Sequence, residues 1–383
     1  MTTATQPTVN FSVNPYMDLI EISLAARKTP FLLGKPGVGK SSFLQQTAKA
    51  GNLLYIDVRL TGMDQTDIMG IPNFIDVLDA NGNVIGKRTS YIPNDLFPLQ
   101  GMGDERRLIK KDKNGNVLYE KDGKTPQMYD GFLINLEEFT SADEAVQAAC
   151  YQLILDRQVG QHKLMDNVFL VACGNGANDG AIAGKLGTAL KSRVITIEVN
   201  VDNKSWMQWA ASAGIHQYIL DYLSWKPELL HKFDPNTDDL SFPCPRTWEM
   251  LSDLIEVEGG YTPAVHTLAL GTIGKYASEF KNFVDYYSKL PDLKAILKDP
   301  ANADMPTEIG QVYALTGVIA GALAEDHTNT QRVSDLMDYT QRMAPEMQVV
   351  TVANAMRKKR TLMTNKAVSS WIIKNGPRLN AVL

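Results

Sequence analysis

The sequence predicts an α/β fold in which a parallel sheet carrying hairpin insertions is followed by purely helical regions. Three features carry that prediction. Short apolar runs alternate with helical stretches through the first 199 residues, the rhythm of parallel strands covered on both faces. Two Asn-Gly pairs interrupt the rhythm between residues 73 and 130. Beyond Val199 the pattern is helix after helix, punctuated by Pro227, Pro243, Pro245, Gly259-Gly260, Pro291, Pro300 and Pro306.

In chain order, Pro30–Leu33 is the first apolar run; it ends in a Gly-rich turn and leads into a helical stretch over Ser41–Ala50. Leu53–Val58, Phe132–Leu136, Val168–Ala172 and Val194–Val199 are four more, rich in β-branched or aromatic residues and bounded by turn or polar residues, as buried strands are. A helical stretch over Ala142–Asp156 separates the third run from the fourth. Asn81-Gly82 joins Phe74–Leu78 to Asn83–Lys87, and Asn114-Gly115 joins Leu108–Lys111 to Asn116–Glu120; Asn-Gly between such segments is the strongest short hairpin signal. The expected domains are an α/β domain over 1–199 with a hairpin insertion at 73–130, a helical lid over 200–258, and a helical C-terminal extension over 259–383. Trp206, Trp209, Tyr222 and Trp225 fall at helical spacing and are expected to pack the lid. The charged segment Arg106–Lys124, grafted onto an otherwise regular domain, is the candidate partner or pore contact.

A chain of 383 residues suffices for two or three domains with a full core. The formal net charge of −5 supplies no global basic field for nucleic acid or an anionic membrane. Cys150, Cys173 and Cys244 are odd in number and lack C-x-x-C spacing, which argues against a disulfide framework or zinc site and fits a reduced compartment. Met1–Pro15 is polar, and no basic residue precedes Arg27, so a secretory signal is not expected. The most apolar window, Gly317–Ala324, is far shorter than the ~20 residues that cross a bilayer, and a cytoplasmic location is expected. His162, His216, His231, His266 and His327 show no ligand spacing, and Arg357–Arg360 reads as a solvated helix end.

The chemistry concentrates at the first turn. Gly34-Lys35-Pro36-Gly37-Val38-Gly39-Lys40-Ser41, with Ser42 next, satisfies G-x-x-x-x-G-K-[ST] between an apolar strand and a helix. Glycines let backbone N–H groups wrap phosphates, and the helix N-terminus favours negative charge. Lys40 would reach the β- and γ-phosphates and the Ser41 hydroxyl would bind Mg²⁺. Hydrolysis needs acids at the end of a neighbouring strand, and Phe132–Glu138 ends in two: Glu137 in the metal position and Glu138 in the catalytic-base position.

Together these motifs resemble the AAA+ ATPases, specifically the MoxR-like branch of the helix-2-insert clade, over about residues 12–255. Asp67–Pro72 resembles that family's Asp-x-x-Gly-x-Pro segment, and Ala142–Val159 its helix ending in Arg-Gln-Val. Gly160–Asp166 would be the hairpin before the sensor strand. The resemblance implies ATP and Mg²⁺ as cofactors. It implies sensor 1 at Asn175, an arginine finger reaching a neighbouring subunit at Arg193, and sensor 2 at Arg246. One departure stands out: the family has Asp where this chain has Glu137. Asn135, inside the same strand, is a polar residue that needs partners if buried.

The leading expectation is a ring or spiral of this chain, six copies in a ring, hydrolysing ATP to remodel or assemble a separate protein partner. A site completed by a neighbour requires a head-to-tail interface. MoxR-like proteins are often paired with a von Willebrand A protein, and this chain has no Asp-x-Ser-x-Ser motif of its own. A nucleic-acid-associated NTPase motor and a nucleotide-dependent scaffold with low turnover are the alternatives; the acidic balance counts against the first, and Glu137 keeps the second open.

Overall fold

The computed structural model describes residues 15–176 and 188–382, so most of the leading segment read for targeting signals lies outside them. The chain divides into two compact units between Asn200 and Val201.

In the first unit, α1 (Pro15–Ala25) leads into β1 (Thr29–Leu33), α2 (Lys40–Ala50) and β2 (Leu53–Arg59). Then come α3 (Gln65–Met69), β3 (Ile71–Leu78), β4 (Val84–Ile92), β5 (Gly131–Glu137) and α4 (Glu144–Asp156). The unit closes with β6 (Gln158–Val159), β7 (His162–Lys163), β8 (Val168–Gly174), α5 (Thr188–Lys191) and β9 (Val194–Glu198). Five strands form a parallel sheet in the spatial order β2-β5-β8-β1-β9. All five apolar runs read from the sequence are in it. From β1 the chain crosses to the far edge, returns through β5 and β8, and passes over β1 to β9. The change of direction beside β1 leaves a crevice at the carboxyl ends of the strands, where parallel sheets bind ligands. Phe132, Leu133, Ile134 and Leu136 of β5, an interior strand between β2 and β8, are fully buried in the core of the unit.

The insertion begins with an antiparallel β3–β4 hairpin. At its tip Asp79 accepts from the backbone N–H groups of Asn81 and Asn83, both at 2.8 Å, and Gly82 takes φ 85°. The second Asn-Gly pair repeats this turn: Asp112 accepts from Asn114 and Asn116 at 2.8 and 2.9 Å, with Gly115 at φ 83°. The legs of this second turn differ from expectation. They meet through single bridges, Lys111 to Val117, Ile109 to Met128 and Tyr119 to Pro126, so the segment is a three-legged meander without full strands. Its legs are short and largely exposed, so they have little apolar face to support a longer ladder.

The second unit is helical: α6 (Asn203–Ala213), α7 (Gln217–Trp225), α8 (Pro245–Glu258), α9 (Pro263–Thr272) and α10 (Ala277–Asp285). They are followed by α11 (Leu293–Lys298), α12 (Ile309–Glu325), α13 (Thr330–Thr340), α14 (Pro345–Lys358) and α15 (Lys366–Val382). Trp248 is fully buried, donates its indole N–H to Leu229 O at 2.9 Å, and packs on Tyr222 and Phe280 with ring centroids 5.8 and 5.5 Å away. Trp206 and Tyr222 are buried in the same cluster, with Trp209 and Trp225 against it. A second cluster gathers Leu315, Ile319, Val352 and Trp371. Asp221 of α7 is fully buried; it accepts from the Tyr287 hydroxyl at 2.5 Å and the Gln217 amide at 2.7 Å. Gly317 of α12 makes room for it, since a Cβ there would stand 1.7 Å from Asp221 Oδ2. Desolvation pushes the Asp221 carboxyl up to about 7.

The basic run at the end of α14 is only partly solvated: Lys358, Lys359 and Arg360 are exposed, but Arg357 is half-buried and donates to Asn354 Oδ1 at 2.9 Å. All three cysteines are buried and free. Among the described residues no helix is long and apolar enough to cross a membrane.

Candidate functional site: the phosphate loop and its facing acids

The turn from Gly34 to Gly39 leaves the carboxyl end of β1 and opens α2. Gly34 is required by close approach, because a Cβ would lie 2.5 Å from Val199 O. Gly39 takes φ 96°, a conformation that disfavours any side chain, and directs the chain into the helix. Lys40 and Ser41 therefore stand on the first turn of α2, facing the ends of β5 and β8.

Lys40 is buried, with its ammonium donating to Gly34 O at 2.5 Å, Lys35 O at 3.1 Å and Asn175 Oδ1 at 3.0 Å. Asn175 follows β8, and its backbone N–H donates to Thr140 Oγ1 at 3.0 Å. Gly174 before it is tightly enclosed: a Cβ would fall 2.7 Å from Thr140 Cγ2. The Ser41 hydroxyl donates to Glu137 Oε1 at 3.0 Å. Two pairs read separately from the sequence, Lys40 with Asn175 and Ser41 with Glu137, thus converge on one end of the sheet. Both Ser41 and Glu137 offer hard oxygens, which suits a Mg²⁺ that keeps water and phosphate as its other ligands. Among the described residues no cluster of three or more His, Cys, Asp or Glu is placed to hold a metal alone.

Glu138 is next to Glu137 but turned away from it. Its backbone is left-handed at φ 57°, uncommon for a residue with a side chain, and its carboxylate accepts from the Thr61 hydroxyl at 2.6 Å. Such strain, roughly 1–3 kcal/mol, persists where the surroundings over-determine it, often at functional sites.

Asn135 finds partners for its amide nitrogen, while its buried side-chain oxygen has none among the described residues. Its amide nitrogen lies 2.6 Å from Glu137 Oε2, 3.0 Å from the Tyr55 hydroxyl and 3.2 Å from Asp57 Oδ1. Burial and the neighbouring acids Asp57 and Glu137 hold the Tyr55 phenol well above its ordinary range. Cys173 of β8 is also beside Glu137, and burial raises its thiol further, so it stays protonated. Thr61, Thr140, Tyr55 and Asp57 are members of the site that no sequence motif marks; each is brought in by strand pairing or by the order of the sheet.

Arg193 lies elsewhere in the first unit. Arg193 precedes β9, whose first residue Val194 pairs with Thr29 at the start of β1. It is half-buried at the amino edge of the sheet, whereas the phosphate loop is at the carboxyl edge. Four steps of strand at about 3.3 Å each separate those edges, about 13 Å. Arg246 is exposed on the first turn of α8 in the second unit.

No protein-family model and no curated relative matches the sequence. Among solved structures the chain is similar to the RuvB Holliday junction branch migration motor of Thermotoga maritima, at 14% identity over 74% of this chain and 74% of that one, TM-score 0.32. It is also similar to NtrX from Brucella abortus in complex with ADP, at 13% identity over 97% of this chain and 70% of that one, TM-score 0.36.

Proposed function

We propose that this protein is an ATPase of the AAA+ type, MoxR-like, that works as a ring or spiral of identical chains on a separate protein partner. The observation that carries the proposal is the convergence of Lys40, Ser41, Glu137 and Asn175 at the carboxyl end of the sheet. Lys40 would hold the phosphates with its ammonium, and Asn175, which now accepts from Lys40, would be free to act beside the terminal phosphate. Ser41 and Glu137 would hold Mg²⁺, which would supply positive charge to the phosphates. Thr61 holds the Glu138 carboxylate as the group that orients and deprotonates the attacking water. Arg193, about 13 Å of strand away from its own phosphate loop, is suited to a neighbour's site, where it would stabilise transition-state charge; Arg246 would act as sensor 2. A von Willebrand A protein is the partner type the resemblance implies.

A protein partner is favoured over nucleic acid by the exposed apolar residues of the β3–β4 hairpin, including Ile71, Phe74, Leu78, Ile85 and Ile92. Those side chains suit protein contact and offer nothing to a phosphate backbone.

The test is complementation. Wild-type protein hydrolyses ATP with Mg²⁺, and Lys40→Ala loses nucleotide binding. Arg193→Ala and Glu138→Gln each bind nucleotide but turn over at least about 10³-fold more slowly. Mixing these two inactive variants restores activity, because a Glu138→Gln subunit lends Arg193 to a neighbour with an intact Glu138. No recovery on mixing, with both variants assembled, would refute a shared site.

A further inference from the structure

We infer that Asn135, with Tyr55 and Asp57, forms a clamp that positions the Glu137 carboxylate for Mg²⁺ and so adapts the site to a glutamate. The inference rests on the nucleotide-site reading above and adds a role for three residues that no motif includes.

The sheet register places the group. Asp57 of β2 pairs with Asn135 of β5, and side chains two apart on a strand share a face. Tyr55 and Asp57 therefore project beside Asn135 and Glu137. The strand around Asn135 is otherwise apolar, with Phe132, Leu133, Ile134 and Leu136 fully buried. An apolar residue would suit position 135 on packing grounds alone. Asn135 is fully buried too, and three oxygens gather on its amide nitrogen, the nearest being Glu137 Oε2 at 2.6 Å. The neighbours dictate the amide orientation: a flipped side chain would set its own oxygen against two carboxylates. The Tyr55 hydroxyl lies 3.4 Å from Asp57 Oδ1, which ties the far side of the cluster together.

The consequence falls on Glu137. A glutamate has one more torsion than an aspartate and more freedom to lose when it is fixed. Holding Oε2 through Asn135 leaves Oε1 turned to Ser41, 3.0 Å away, before any ligand arrives. A partner that orients a metal-binding carboxylate in this way typically accounts for about 10–100-fold in metal affinity.

Binding of a fluorescent ATP analogue, titrated with Mg²⁺ and compared with binding in EDTA, tests the clamp without requiring turnover. Asn135→Leu should raise the Mg²⁺ concentration for half-maximal effect about tenfold or more and leave affinity in EDTA unchanged. Adding Glu137→Asp should recover most of that loss, since the shorter carboxylate depends less on the clamp; a purely structural role for Asn135 predicts no such recovery. If Asn135→Leu does not fold, as judged by its melting temperature, Tyr55→Phe should shift the Mg²⁺ midpoint in the same direction. An unmoved midpoint in the folded variant, or an equal shift whether residue 137 is Glu or Asp, overturns the clamp. Wild-type protein that binds no nucleotide would sink the nucleotide-site reading, and the clamp with it.

Discussion

Replacing Asp221 by Asn should remove a specific pH dependence from the stability of the second unit. The Asp221 carboxyl is fully buried and is pushed up to about 7 by desolvation, against which the Tyr287 and Gln217 hydrogen bonds and the charge of Lys358 act only in part. Its ordinary value is 3.8. Between those two values the folded chain keeps a proton that the unfolded chain has released. Stability is thus full below about pH 4 and falls by about 1.4 kcal/mol per pH unit as pH rises. The loss ends near pH 7, where the folded form also ionises, and totals about 4 kcal/mol. Asparagine has the same shape and no charge, so it should gain on the wild type by that slope across the interval. All five tryptophans, Trp206, Trp209, Trp225, Trp248 and Trp371, lie in the second unit, so intrinsic fluorescence reports its unfolding alone. Urea melts of the full chain at pH 5, 6, 7 and 8 give the difference between the two proteins. Titrations shared by both cancel. Curves that stay parallel from pH 5 to 7 would refute the assignment of a protonated, buried Asp221.

Two further outcomes follow from the site. Thr61→Val removes the hydroxyl that donates to Glu138 Oε2; turnover should fall about tenfold, the scale of one hydrogen bond to a charged group, with nucleotide affinity unchanged. Equal turnover in steady-state assays would show that Thr61 does not position Glu138. Gly34→Ala drives a methyl group to 2.5 Å from Val199 O, so the phosphate loop must move. A stability loss of about 1–3 kcal/mol and weaker nucleotide binding are expected, measured by thermal melting and fluorescent-nucleotide titration.

Much of the site was legible because its chemistry is local. The phosphate loop needs glycines, a lysine and a hydroxyl in one short run between strand and helix, and Gly34–Ser41 supplies them. Glu137 and Glu138 were recognisable as acids ending an apolar strand. Their division of labour was not: one faces Ser41, while the other takes a left-handed backbone and pairs with Thr61. Asn135 stood out as a polar residue in an apolar strand, yet two of its partners, Tyr55 and Asp57, come from β2, about 80 residues upstream. No spacing rule links them; only the β2–β5 pairing does.

By itself, the sequence determined the elements of this protein: five strands from apolar runs, two turns from Asp-x-Asn-Gly-Asn, and a helical second half from its periodicity and prolines. Each rests on interactions among residues close in the chain. Tertiary structure alone decided the strand order β2-β5-β8-β1-β9. That order brings Lys40 to Asn175 and Ser41 to Glu137, and sets Arg193 at the opposite edge of the sheet from its own phosphate loop. It also buried Asp221 beneath Gly317, across nearly 100 residues of chain. The physical reason is common to all of these. Local patterns specify which face of an element is apolar, whereas neighbours across the sheet or the helical core are chosen by packing between segments far apart in the chain.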